Sequence, residues 1–251
     1  MEEAQAQVKV HRISSVVPAI PTERHPMFLS NLDLFWLPIN NVQRILFYTI
    51  SPENQYFSIV ESLKKSLSSV LVYFYPLAGR LDKGESVRLE IDCNDSGVEF
   101  VEASIDMPFS FLERDGFQYK PLFQNLVPKA HPLQDHSCPR PILSVQVTCF
   151  QGEGVSIGTT LHHVIADGNS FWNFMKSWAE AEQDNTRSIE ESQKYVQKWL
   201  ARKTEVTEVV YSTFCFTEEN IRALKKQSGA VSSFIAMAAH FWRSVMIARE
   251  V

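Results

Sequence analysis

The sequence predicts a mixed α/β fold, and three observations indicate it. Short apolar segments with alternating polar positions, such as residues 98–103 and 143–150, are typical of strands. Other segments carry apolar residues at helical spacing, and they begin after capping residues and end at proline or glycine. Strands and helices also alternate along the chain. We therefore expect a mixed sheet with flanking helices.

The first part of the chain contains strands, a helix and a hairpin. Residues 8–17 and 43–50 read as strands. A helix is predicted to begin after Ser51, a favourable capping residue, and to end before Pro76. Residues 80–91 then read as a hairpin around a D-K-G-E turn.

The second part begins with a long connection. Residues 107–141 are rich in proline and lack periodicity, so we expect a surface connection with short helical turns. Strands at 143–150 and 155–163 follow, and a helix capped by Asn169 or Ser170 comes next.

The last part is predicted to contain one strand and two helices. Residues 206–216 read as a strand. A helix opens at Thr217 and stops at Gly229, and another helix begins at Ser232 or Ser233.

The charge balance argues against a nucleic-acid-binding protein. The chain has 24 Lys and Arg against 29 Asp and Glu, which gives a net charge of −5, and its basic residues are scattered. Nucleic-acid binding needs a concentrated basic surface. We therefore expect no nucleic-acid partner.

The distribution of apolar residues argues against a membrane protein. The longest uncharged stretch, residues 227–242, is shorter than the roughly 20 apolar residues of a spanning helix. The N-terminus is acidic and shows no signal peptide. The four cysteines are widely spaced without a C-x-x-C pair, as in proteins of reducing compartments. We expect a cytoplasmic protein with no membrane partner.

The candidate site lies where the strand 155–163 meets the next helix. Strand alternation would point His162 and His163 to opposite faces, so that one of them serves a given pocket. Asp167 and Gly168 follow in the turn. Such strand-to-helix turns commonly carry chemistry in α/β proteins.

Two other interpretations of this segment stay open. A histidine near a strand end often has a purely structural role. His162, His163 and Asp167 could also ligate a metal, although opposed strand faces make this awkward and no further Cys or His cluster completes a ligand set. We expect no metal.

Residues 163–168 resemble the H-x-x-x-D-G signature of the plant BAHD acyltransferases, which use acyl-CoA donors. Three further segments agree in the same order. Residues 29–34 (LSNLDL) and 75–81 (YPLAGRL) are similar to the family's L-S-x-L-D and Y-P-L-A-G-R-L segments, and residues 232–243 resemble the helix that begins its second half. The four segments span nearly the whole chain.

The resemblance implies a chloramphenicol-acetyltransferase-like fold with its first domain and the start of a second. The N-terminal domain would be residues 1–182, a shortened crossover linker residues 183–205, and a truncated C-terminal domain residues 206–251. The family's second signature, D-F-G-W-G, does not occur in the sequence.

The resemblance also assigns roles at the site. His163 would be the general base that takes a proton from a hydroxyl or amine acceptor, which then attacks the thioester of acyl-CoA. Asp167 would turn away, pair with an arginine and fix the turn, while Gly168 would permit a tight backbone path. His162 is assigned to packing.

The loop with Trp36, Asn40 and Asn41 aligns with family positions near the acceptor. The implied partners are acyl-CoA as co-substrate and a small specialised metabolite, with no bound cofactor and a monomeric enzyme. Since the second half is missing, the alternative is a non-catalytic truncated paralogue or isoform that acts as a binding or regulatory module.

Overall fold

The computed structural model describes residues 7–34, 36, 41–50, 56–83, 89–129, 139–151, 153–182, 214–229 and 232–248. These residues belong to two compact units. The first unit contains residues 1–115 and 120–209, and the second contains residues 116–119 and 210–251. The predicted linker 183–205 lies outside the described residues, so the domain boundaries stay a prediction.

The first unit contains nine strands and four α-helices among its described residues. The strands are β1 (Val8–Val16), β2 (His25–Phe28), β3 (Val42–Thr49), β4 (Arg80–Lys83), β5 (Leu89–Cys93), β6 (Val98–Ile105), β7 (Arg140–Pro141), β8 (Leu143–Phe150) and β9 (Gly154–Leu161). The helices are α1 (Asn31–Leu34), α2 (Tyr56–Leu71), α3 (Phe109–Arg114) and α4 (Gly168–Glu182), and 3-10 turns span Tyr75–Ala78 and Pro121–Asn125.

The strands form two sheets. The larger sheet has the order β1-β6-β8-β9-β3, in which β6 and β8 are parallel and all other neighbours are antiparallel. The smaller sheet has the order β2-β5-β4-β7 and is antiparallel. The mixed direction of the larger sheet and the flanking helices confirm the predicted fold class.

Helices α2 and α4 share one apolar core with the larger sheet. Every residue of β9 is buried, as expected for a strand near the sheet centre. The two helices are also joined by a polar contact, because the indole N–H of Trp178 donates to Ser66 Oγ at 3.0 Å. This contact satisfies a buried donor that would otherwise oppose folding.

The sequence predicts that the connection between β6 and β8 lies on the surface. Part of this connection instead packs against the larger sheet. Its backbone carbonyls accept hydrogen bonds from polar strand residues: Gln146 Nε2 donates to the Asn125 carbonyl at 2.8 Å, and Thr160 Oγ1 donates to the Pro128 carbonyl at 2.7 Å. Leu126 is fully buried. The polar strand positions therefore face protein backbone, and the connection contributes to the core.

The segment 75–81 is held by its arginine. After the 3-10 turn, the guanidinium of Arg80 donates to the carbonyls of Gly79 at 2.8 Å, Gly97 at 2.7 Å and Ser96 at 3.2 Å. Burial lowers the pKa of Arg80, because a charged group loses hydration there. The arginine thus joins β4 to the turn between β5 and β6.

The second unit contains helices α5 (Glu218–Ser228) and α6 (Ser233–Ala248). Thr217 caps α5 in a capping box with Asn220, and Gly229 follows the helix in the left-handed conformation with φ 66°. Both ends agree with the sequence prediction. Residues 214–216 are not a strand, and the rest of the predicted strand 206–216 lies outside the described residues.

Within the described ranges, no helix is both long enough and apolar enough to cross a lipid bilayer.

Candidate active site

The pairing of β3 with β9 brings two distant segments to the same place. The strands are antiparallel, and Val42 at the start of β3 lies opposite Leu161 at the end of β9. Residues before β3 therefore meet residues after β9. This register places Trp36 beside His163.

The chain leaves the sheet two residues earlier than predicted. Strand β9 ends at Leu161, and the His162 carbonyl accepts a hydrogen bond from the Ile165 backbone N–H at 3.2 Å, which closes a turn. The His162 N–H still donates to the Ile142 carbonyl at 2.9 Å. The alternation of a regular strand therefore does not determine where the side chains of His162 and His163 point. The contacts that each histidine makes place the two side chains in different environments.

His163 is half-buried and stacks on Trp36. The ring centroids are 4.1 Å apart and the ring planes differ by 3°. His163 Nδ1 and Trp36 Nε1 are both buried, and neither has a hydrogen-bond partner among the described residues. With Nδ1 enclosed and one ring face covered, Nε2 is the ring nitrogen left for a reacting group.

Asp167 caps helix α4. Its Oδ1 accepts a hydrogen bond from the Ser170 backbone N–H at 2.7 Å, and its carbonyl accepts from the Phe171 N–H at 3.0 Å. Asp167 therefore takes the capping role predicted for Asn169 or Ser170. In the described part of the chain, no Lys or Arg forms an ion pair with Asp167. The arginine partner implied by the resemblance stays a prediction.

Gly168 is the first residue of α4, and no other atoms crowd the position that its side chain would occupy. A Cβ atom at this position would meet nothing within 4 Å, and the backbone φ is not in the left-handed region. The helix itself would therefore accept a side chain here, although the resemblance implied a backbone requirement. The missing side chain leaves free volume at the N-terminus of α4, next to the turn that carries His163.

His162 lies in a different environment from His163. It is 5% exposed and lines a small internal space with Asn41, Arg140, Ser144 and Thr160. Burial lowers the pKa of His162 to about 4, and the nearby positive charge of Arg140 acts in the same direction. His162 is therefore a neutral, packed side chain at physiological pH.

The structure separates the residues predicted on the acceptor side. Trp36 lies against His163, whereas Asn41 lies near His162. Asn40 lies outside the described residues. Arg140, which sequence reasoning missed, is buried beside His162 and follows a proline-rich segment that shows no local signal of a site.

An apolar cavity of about 360 Å³ borders the turn between β9 and α4, and no motif in the sequence predicts it. Ile165, Ala166 and Ser170 line it from the turn and α4, and Tyr73 and Tyr75 also line it. Its volume lies in the range of small-molecule pockets.

Metal ligation finds no support in this geometry. In the residues that the structure describes, no three His, Cys, Asp or Glu side chains come together as a metal-binding group, and His162, His163 and Asp167 are all described.

Solved structures show the class of fold. The crystal structure of vinorine synthase superposes with a TM-score of 0.67 at 27% identity, covering 97% of this chain and 62% of that one. The crystal structure of F. sporotrichioides TRI101 complexed with coenzyme A and T-2 gives a TM-score of 0.62 at 21% identity, covering 88% and 57%. Because the sequence identity with TRI101 is only 21%, this similarity is evidence for a shared fold alone.

The family model described as "Transferase family" matches residues 6–251, so the chain belongs to this family, that of the BAHD acyltransferases. A hydroxycinnamoyltransferase of Narcissus pseudonarcissus is 30% identical over 96% of this chain. A rosmarinate synthase of Plectranthus scutellarioides is 30% identical over 97%. The chain spans 62% of the length of each of these relatives.

Proposed function

We propose that the chain takes part in the transfer of an acyl group from acyl-CoA to a hydroxyl or amine of a small specialised metabolite, with His163 as general base. The observation that carries the proposal is the setting of His163, on the turn after β9 with Nδ1 enclosed and one ring face against Trp36. Family membership supports the reaction class.

The chemistry needs one proton transfer at Nε2. The imidazole removes the proton of the acceptor O–H or N–H as the heteroatom attacks the thioester carbonyl. The new C–O or C–N bond forms, the C–S bond breaks, and the CoA thiolate leaves and takes up the proton. A neutral imidazole suits this step near pH 7, and a thioester needs no covalent enzyme intermediate.

Asp167 supports the site without entering the proton transfer. Its Oδ1 is engaged with the Ser170 N–H, so the carboxylate holds the start of α4 and the turn that precedes it. His163 then depends on the backbone between β9 and α4 for its position. This division of roles leaves the histidine as the reacting group of the motif.

The activities for which the relatives are named guide the choice of substrates. A hydroxycinnamoyltransferase and a rosmarinate synthase are among them, and TRI101 was crystallised with coenzyme A. We therefore propose an aromatic acyl-CoA donor of the hydroxycinnamoyl type and a hydroxylated plant metabolite as acceptor. The 360 Å³ apolar cavity is a candidate for the aromatic part of a substrate.

A release assay tests the proposal. The purified chain is incubated with 4-coumaroyl-CoA or acetyl-CoA and a panel of hydroxylated acceptors, and free CoA thiol is measured. We expect His163→Ala to lower kcat by about 100-fold or more, as for loss of a general base. The control is His11→Ala, which removes an exposed histidine of β1. Equal rates for His163→Ala and the unmodified chain would refute the mechanism.

Thermal unfolding with and without CoA separates binding from turnover. A ligand at 100 times its dissociation constant stabilises by about 2.7 kcal/mol, which shifts the midpoint measurably. A shift without turnover under any donor would contradict the catalytic proposal and favour the binding module considered from the sequence.

A further inference from the structure

The orientation of the His163 ring depends on a contact that is not a hydrogen bond. Its Nδ1 is buried and has no hydrogen-bond partner within the described ranges. The neighbouring His162 differs, because its Nδ1 lies 3.5 Å from the Val164 backbone N–H and its backbone N–H is bonded to Ile142. In the described part of the chain, the indole of Trp36 is the aromatic ring that stacks on the imidazole of His163.

Trp36 is itself held by the turn that precedes it. Its backbone N–H donates to the Asp33 carbonyl at 3.0 Å. Ser30 and Asp33 form a reciprocal pair, since the Ser30 N–H donates to Asp33 Oδ2 at 2.7 Å and the Asp33 N–H donates to Ser30 Oγ at 3.2 Å. Leu29 anchors the turn in the core with 3% exposure. The turn in segment 29–34 thus fixes the backbone that leads to Trp36, two residues beyond the segment.

We propose that Trp36 is the positioning residue of His163. The indole lies parallel to the imidazole at 4.1 Å and holds the ring in one plane, so that Nε2 has one direction in which to accept a proton. This inference takes its catalytic meaning from the proposed function, while the stacking itself is independent of any activity. It also gives the segment 29–34 a role at the site, because the Ser30–Asp33 pair positions Trp36.

The position of the general base matters because proton transfer requires near-linear contact with the acceptor. Misplacement of a reacting group by about 1 Å can cost about 100-fold in rate. Without the indole, no described hydrogen bond would hold the imidazole plane. Loss of Trp36 should therefore lower kcat while the affinity for the acyl donor stays the same.

The stacking is tested first by NMR, without any turnover. The imidazole C–H resonances of His163 are assigned by comparison with His163→Gln. We expect Trp36→Leu to remove the indole ring current and shift these resonances downfield, while Trp36→Phe shifts them by a smaller amount. The control is Trp172→Leu, a half-exposed tryptophan of α4, which should leave them unchanged. Unchanged His163 resonances in both Trp36 variants would overturn the inference.

The positioning role is tested next by kinetics. We expect Trp36→Leu to lower kcat by about 10- to 100-fold with unchanged KM for the acyl donor, and Trp36→Phe to retain most of kcat. Normal kcat in a folded Trp36→Leu chain would overturn the inference and leave the proposed function intact. If the unmodified chain has no activity, the proposed function fails, and the NMR comparison alone decides whether Trp36 orients the ring.

Discussion

Asp167 Oδ1 accepts a hydrogen bond from the Ser170 backbone N–H at 2.7 Å. The aspartate of the H-x-x-x-D-G segment is therefore the N-cap of α4. A carboxylate here satisfies an orphan donor of the first helical turn and interacts favourably with the helix dipole. The contact links the turn that carries His163 to a helix whose buried apolar residues belong to the main core.

The first prediction concerns this cap. Asp167→Ala should lower the free energy of unfolding by about 1 kcal/mol, because the Ser170 N–H loses its acceptor. Asp167→Asn retains an acceptor oxygen and should lose less. Urea unfolding of the three chains measures both differences. An alanine variant as stable as the parent would show that the cap is dispensable.

The second prediction concerns the acid stability of the fold. The pKa of His162 is lowered to about 4 by burial and by Arg140, whereas an unfolded histidine titrates near 6.5. Below pH 6.5 the unfolded chain binds a proton that the folded chain rejects, so stability falls as the pH falls toward 4. The loss from this group reaches roughly 3 kcal/mol.

His162→Gln should remove this part of the pH dependence. Unfolding free energies of the variant and the parent are measured from pH 7 to pH 4.5, and the parent should lose more stability over this range. His11→Gln serves as the matched control, because it makes the same substitution at an exposed histidine of β1. Parallel profiles for His162→Gln and the parent would contradict the buried, neutral state of His162.

The third prediction compares two glycines near the site. Gly168→Ala should leave stability unchanged or raise it by about 0.4–1 kcal/mol, because the new Cβ meets nothing within 4 Å and alanine favours the helix. Gly158→Ala should destabilise by about 1–3 kcal/mol, because its Cβ would lie 2.0 Å from the Leu126 carbonyl oxygen.

Thermal unfolding of both variants measures these effects, and the acyl-transfer assay adds the functional side. A stable Gly168→Ala chain with reduced turnover would show that the free volume at the start of α4 is occupied by substrate. A strongly destabilised Gly168→Ala chain would contradict the open geometry described here.

The fourth prediction concerns Arg80. Its guanidinium donates to three carbonyls, those of Gly79, Ser96 and Gly97. Arg80→Ala should cost about 1–3 kcal/mol because those partly buried acceptors lose a charged donor. Arg80→Lys should recover part of the loss, since an ammonium cannot reproduce the planar fork. Denaturant unfolding ranks the three chains, and equal stability of the alanine variant would contradict this role.

The sequence predicts an element correctly where residues close to it in sequence determine its ends. Helix α5 was predicted at both ends because Thr217 and Gly229 act on their own neighbours. The end of β9 was predicted too late, because His162 and His163 continue the apparent alternation while tertiary bonds to Ile142 and within the turn bend the backbone away. The short strand β2, which contains Pro26, was missed since its partner β5 is distant in sequence.

In the candidate site as well, residues within one short segment are predictable from the sequence, whereas contacts between distant segments are not. The H-x-x-x-D-G segment marks His163, and its aspartate lies next to the helix that it caps. The contact with Trp36 depends on the register of β3 against β9, which the sequence alone does not specify. The role of Arg140 beside His162 likewise depends on tertiary packing.

Trp36 and His163 are separated by about half the length of the chain, and this has a consequence for folding kinetics. The hairpin of β8 and β9 is local, whereas the pairing of β3 with β9 closes a long loop and forms slowly. If the hairpin forms before β3 pairs with β9, His163 follows a formed strand but does not yet contact the indole. The contact between Trp36 and His163 is therefore expected to form late, with completion of the sheet, and the NMR resonances of the His163 ring would report that step.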